Sequence, residues 1–148
     1  MIRKFEKNDL DEVMSIWMNA NIEAHSFIEA DYWKRNFDSV RKMIPEAEVF
    51  VSEIDGEING FIGMIDHYIA GIFVRNSDRS KGIGTSLLHT VKQKNETLSL
   101  QVYKNNKKAV LFYQNAGFKI AAEEMDEDTS EMEYKMVWYQ GVHVCPKQ

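Results

Sequence analysis

Two periods of apolar residues alternate along the chain. Leu10, Val13, Met14, Trp17 and the Ala20-Asn21 pair fall on one helical face, with Asn8 or Asp9 placed to cap it. Residues 30–43 carry a second helical pattern, which must stop before Pro45 because proline disfavours helical geometry in the residue ahead of it. Residues 49–54 and 58–65 read as strands around Asp55-Gly56, a pair that tolerates the positive φ of a two-residue hairpin. Residues 68–75 form a further strand pattern. The helical period returns over residues 82–94, with Ile83, Leu87, Leu88 and Val91 on one face. Residues 98–103 predict a strand, 106–116 a fourth helix, and 118–124 and 133–139 two closing strands. A short strand at residues 1–5 opens the series. The order βααβββαβαββ predicts a mixed α/β sheet. Residues 1–140 read as one domain and 141–148 as a loosely held tail.

Composition narrows the class without naming a chemistry. At 148 residues the chain is one ordinary domain, expected to bury about 70% of its unfolded surface. No apolar run is long enough to span a bilayer and no signal-peptide core is visible, so the expected compartment is the cytoplasm, without membrane association. The single cysteine, Cys145, cannot form an internal disulfide, which fits a reducing compartment. A formal charge of −5 argues against a general nucleic-acid binder and is compatible with a cationic partner.

One local motif departs from this neutral picture. Arg79-Ser80-Lys81-Gly82-Ile83-Gly84 joins the apolar Ile72-Phe73-Val74 to the start of a helix. Two glycines allow close backbone approach, a helix N-terminus offers unpaired N–H groups, and Arg79 and Lys81 add charge. Such a loop suits a phosphate or pyrophosphate, although a plain glycine turn before a helix has the same spacing. A Walker loop is excluded because no lysine follows Gly84, and a dinucleotide fingerprint would need glycine where Leu87 stands. The remaining pattern is Gln/Arg-x-x-Gly-x-Gly/Ala.

A second block follows after one strand-sized segment: Val102-Tyr103-Lys104-Asn105-Asn106-Lys107-Lys108-Ala109-Val110-Leu111-Phe112-Tyr113-Gln114-Asn115-Ala116-Gly117-Phe118. Asn106 is placed to cap the helix, Ala109 is small enough for close approach, Phe112 is expected in the core, and Gly117 supplies the left-handed residue that ends the helix. Read alone, Asn106 is a cap or a ligand, and Tyr113 a packing residue or a proton donor. Together the two blocks resemble the signatures of the GNAT superfamily of N-acetyltransferases, in the family's order. The likeness runs from about Ile2 to Tyr139. His25-Ser26-Phe27-Ile28-Glu29-Ala30-Asp31-Tyr32-Trp33 adds a resemblance to small single-domain bacterial members, described as protein or small-molecule N-acetyltransferases. One departure is Asn76 in place of a common proline, which leaves the turn intact and puts Arg75 near the expected phosphates.

The resemblance implies a mostly antiparallel sheet of six to seven strands flanked by four helices. It implies acetyl-CoA as donor, no metal, and direct transfer of acetyl to a primary amine of a protein or small molecule. The rival reading is a catalytically silent acetyl-CoA-binding sensor or interaction domain, as a monomer or homodimer in either case. By resemblance Phe73 and Val74 pair with the pantetheine arm, and Arg79, Lys81, Gly82, Ile83, Gly84 and Thr85 hold the pyrophosphate. Asn106 contacts the cofactor, and Tyr113 protonates the departing thiolate. His25 is the first candidate for the base, with Asp66 and His67 next. Tyr32 and Trp33, together with Asp66 and His67, are expected to wall the acceptor pocket. The acidic run from Glu123 to Asp128, continuing to Glu131 and Glu133, reads as a solvated hairpin or as an attractor for a basic acceptor.

Overall fold

The computed structural model describes residues 1–141. Its strands are β1 (Ile2–Lys4), β2 (Glu48–Ile54), β3 (Glu57–Ile65), β4 (Tyr68–Val74), β5 (Thr97–Tyr103), β6 (Lys119–Asp126) and β7 (Glu131–Tyr139). Its helices are α1 (Leu10–Ala24), α2 (Ala30–Met43), α3 (Ile83–Lys92) and α4 (Lys107–Asn115). The predicted order of elements is met, and the strands form one seven-stranded sheet, β1-β2-β3-β4-β5-β7-β6. The expected tail and Cys145 fall largely in residues 142–148, outside the described residues.

The sheet divides the apolar residues into two cores. On one face Ile83, Leu87, Leu88 and Val91 of α3 pack with Leu98, Leu100, Val102, Tyr113 and Met136. On the other, Val13, Met14, Ile16 and Trp17 of α1 and Trp33 of α2 pack over Val49, Val51, Ile58 and Phe61. The alternation along β5 follows from strand geometry: Leu98, Leu100 and Val102 are buried, while Tyr103 packs against the α1–α2 core.

Local chemistry sets the boundaries. Asp55 and Gly56 both have positive φ, at 54° and 80°, as the β2–β3 hairpin requires. Gly117 at φ 96° ends α4, and the Phe118 N–H then donates to the Tyr113 carbonyl at 3.0 Å. Asp9 does not cap α1 with its side chain. Its carboxylate accepts from the Glu6 N–H at 2.7 Å and from both terminal nitrogens of Arg3, at 2.9 and 3.0 Å, which holds the first strand to the helix entry. Phe112, expected in the core, is only half-buried, and its neighbour Tyr113 is the buried aromatic.

All neighbouring strands run antiparallel except β4 and β5. That parallel pair is short: only Tyr68 with Ser99 and Ile69 with Leu100 are in register. Beyond them the strands separate, leaving Ala70–Val74 and Gln101–Tyr103 on opposite sides of a gap.

Gly117→Ala should destabilise the domain by about 1–2 kcal/mol, because an L-residue is strained in the left-handed region. The new Cβ would also stand 3.3 Å from Trp138 Cδ1. Equilibrium urea unfolding measures the loss.

Candidate functional site

The gap between β4 and β5 opens into a cleft of about 910 Å³. Its lining brings together two regions far apart in sequence: the 78–85 loop with α3, and the 101–109 segment with α4. Trp17, His25 and Trp33 close it from the α1–α2 side.

The loop has the backbone that its two glycines suggest. Gly82 is left-handed at φ 80°, and Ser80 is also left-handed at φ 68°. The first helical bond of α3 runs from the Ser86 N–H to the Gly82 carbonyl at 3.0 Å, so the amides of Ile83, Gly84 and Thr85 have no partner within the helix. Side-chain charge is distributed differently from the expectation. Arg75 is not in the lining and is paired with Asp78 at 2.6 Å and Glu57 at 3.3 Å. Lys81 also pairs with Asp78, at 3.2 Å, and its side chain is not part of the lining. Arg79 lines the cleft with no ion pair among the described residues. Lys107 and Lys108, at the start of α4, line it too. In the sequence these two lysines stand between Asn106 and Ala109 with nothing beside them that marks a ligand.

Asn106 joins the two halves of the site. Its Oδ1 accepts from the Ala109 N–H at 3.3 Å, the bond of a helix cap. That fixes the amide orientation, and Nδ2 points to His25 Nε2 at 3.2 Å. His25 Nδ1 lies 3.0 Å from the Asn21 carbonyl, which can only accept, so Nδ1 carries the proton and Nε2 the lone pair. The expected base therefore gives its lone pair to Asn106 rather than to an acceptor. His25 stacks on Trp33 at 5.1 Å between ring centroids and meets Tyr103 edge-on at 5.2 Å. Burial holds its pKa below the ordinary histidine value, against the opposing pull of the Asn21 bond.

Tyr113 reaches the gap from α4. It is 8% exposed, and burial, followed by the nearby Tyr68 phenol, raises its pKa. Phe73, Val74, Ile83, Gly84 and Thr85 line the cleft. Trp33 does so as well, with Tyr32 packed edge-on behind it at 4.9 Å. Asp66 and His67 are not in the lining. They form the exposed β3–β4 turn, where His67 Nδ1 lies 2.8 Å from Asn95 Oδ1. The strand pairing adds Tyr68, Gln101 and Tyr103, which the sequence did not mark as site residues, and Glu133, which it marked only as part of the acidic run. Tyr68 donates to Gln101 Oε1 at 3.0 Å, and Tyr103 donates to Asp126 Oδ2 at 2.6 Å.

Residues 18–137 match the family model described as an acetyltransferase (GNAT) domain. The chain belongs to the GNAT acetyltransferases. The enzyme is 31% identical over 140 residues to peptidyl-lysine N-acetyltransferase YiaC of Escherichia coli K12, covering 93% of this chain and 96% of that one. It is 28% identical to peptidyl-lysine N-acetyltransferase YjaB of the same strain, covering 86% and 87% of the two chains. The solution structure of apo-YjaB from E. coli superposes with a TM-score of 0.83 at 25% identity, over 96% of this chain and 98% of that one. No helix among the described residues of the acetyltransferase is long and apolar enough to cross a membrane.

The buried neutral His25 predicts a pH dependence of stability. The unfolded chain binds a proton near pH 6.5, which the folded chain accepts only at lower pH. Its contribution is complete above about pH 6.5 and is lost as pH falls toward the folded pKa. The wild type should lose stability over that window more steeply than His25→Asn, measured by urea unfolding at a series of pH values.

Proposed function

We propose that the enzyme moves acetyl from acetyl-CoA directly to the ε-amino group of a lysine in a protein. The observation that carries this reading is the gap between β4 and β5, which faces a cationic glycine loop on one side of the sheet and an aromatic wall on the other. The donor set fits a coenzyme A thioester. Arg79, Lys107 and Lys108 supply charge for phosphates, and the amides of Ile83, Gly84 and Thr85 supply donors. Asn106 retains one N–H beyond its bond to His25. The unpaired edges of β4 and β5 beyond Ile69 and Leu100 offer backbone groups to an extended amide-bearing arm.

The other side suits a lysine. Trp33, His25, Phe27 and Tyr103 form a contiguous aromatic surface that can flank an aliphatic stem and attract its cation. The names of YiaC and YjaB support the same acceptor class. A lysine amine near pKa 10.4 needs about 4.6 kcal/mol to lose its proton at pH 7, so a base is required on this side. Tyr113 is the acid on the other. Its phenol stays protonated at neutral pH, all the more because burial raises its pKa, and it gives its proton to the sulfur as the thiolate leaves. The tyrosine is present and buried at the gap, a placement that favours transfer over silent binding.

Acetyl-CoA at one hundred times its Kd should add about 2.7 kcal/mol of stability, read by thermal or urea unfolding. Arg79→Ala should weaken binding and reduce its salt dependence, read by calorimetry at two ionic strengths. Gly82→Val is a poor test because Gly82 has positive φ, whereas a Cβ at Gly84 would meet Phe112 only at 3.5 Å. Gly84→Val should therefore keep the fold and lose affinity.

Tyr113→Phe should leave acetyl-CoA affinity unchanged and lower kcat about 10²–10⁴-fold. Thiol release with a lysine peptide, alongside binding calorimetry, checks both halves. Loss of affinity at constant kcat would make the hydroxyl a ligand rather than an acid.

A further inference from the structure

The transfer needs a base, and the lone pair of His25 is engaged by Asn106. The other titratable groups of the cleft narrow the choice. Asp78 is held by Arg75 and Lys81. Glu23 is exposed on α1, at a hollow it shares with Val74, Arg75 and Ser77. Tyr68 and Tyr103 both have raised pKa values, by burial first in each case, and are neutral. Glu133 remains. Its carboxylate is half-buried in the cleft lining and, among the described residues, accepts no hydrogen bond and pairs with no cation.

The register of the sheet puts Glu133 on the required side. It stands opposite Tyr103 across β5–β7, and Tyr103 packs with the α1–α2 core. Tyr113 comes from α4, within the opposite core. The gap therefore has a carboxylate on its aromatic side and a phenol on its loop side. Tyr68, whose hydroxyl donates to Gln101, lines the same cleft as Glu133 and Tyr113.

We infer that Glu133 is the general base of the transfer, taking a proton from the ammonium group of the acceptor. The inference rests on the function proposed above. Glu133 removes one proton from the ammonium, and the freed nitrogen forms a C–N bond to the thioester carbon. The C–S bond breaks, and Tyr113 protonates the sulfur. The second nitrogen proton restores Tyr113, and the proton on Glu133 passes to water. The sum is amide, thiol and one released proton.

The surroundings of Glu133 suit the task. Burial raises its pKa, and Asp126 and Glu124 of β6 raise it further. Glu124 is its direct neighbour across β6–β7. Tyr103 of β5 stands opposite Glu133, Gln101, Tyr68 and His25 share the cleft lining, and its charge acts on Tyr32 of α2. Lys135, two residues along β7 and opposite Gln101, is the cation on that strand face. A carboxylate with a raised pKa is a stronger base than an ordinary one.

The test compares wild type with Glu133→Gln and Glu133→Asp on a lysine peptide, across pH 6–10.5, with thermal melts and acetyl-CoA calorimetry on each. The expected result is a kcat loss of about 10²–10⁴-fold in Glu133→Gln at pH 7 with acetyl-CoA affinity unchanged. Its kcat/KM should rise about tenfold per pH unit until the amine deprotonates near 10.4, where wild type shows a plateau. Glu133→Asp should keep the plateau at a lower rate. If Glu133→Gln melts abnormally, Glu133→Asp decides, and loss of its plateau overturns the assignment. A Glu133→Gln enzyme that keeps kcat within tenfold, or loses only KM, also overturns it and leaves the proposed function standing. A wild type that binds acetyl-CoA but acetylates no lysine peptide removes the acceptor reading and this inference with it.

Discussion

The short parallel contact between β4 and β5 is the constraint on which the site depends. Two residue pairs in register are enough to join the halves of the sheet, and too few to close it. A longer ladder would satisfy the backbone groups of residues 70–74 and 101–103 internally and leave no gap. The helices reinforce the divergence. α3 follows β4 and α4 follows β5, and each helix begins beside the opening. The N–H groups that an isolated helix start leaves unpaired are thus delivered to the place where the sheet also leaves groups unpaired.

The His25–Asn106 bond secures the opening from above. It spans 81 residues and ties the end of α1 to the start of α4. The same asparagine caps α4, so one side chain satisfies a helix end and holds the histidine ring against Trp33. Protonating His25 at Nε2 would place two donors face to face. The burial that disfavours that proton also protects the joint at neutral pH.

Features that depend on neighbouring residues were legible in the sequence. The Asp55-Gly56 hairpin, the Gly117 stop, the Asn106 cap and the stripe on α3 each rest on backbone chemistry within a few positions. The place of the loop and of Tyr113 at one cleft was legible because motif and spacing travel together. Contacts made by strand register were not. Nothing near Glu133 in sequence says that it faces Tyr103, since one residue of slip between β5 and β7 would turn it to the other face. His25 was found, but its partner lies too far along the chain for its lone pair to be traced. Arg75 was misplaced for a nearer reason: Asp78 stands three residues away, close enough to claim it before any phosphate does.

The division of the interior into two apolar cores has a consequence for how this enzyme can change. On the proposed function, the residues for the donor grow from the core under α3 and α4, and those for the acceptor from the core under α1 and α2. Substitutions in separate clusters with no shared partners tend to act independently. The acceptor side can then drift toward a different amine while the donor side stays intact, with the sheet as the partition. The His25–Asn106 joint is where that independence ends, and it is the place at which an evolving specificity would first be felt by the donor half.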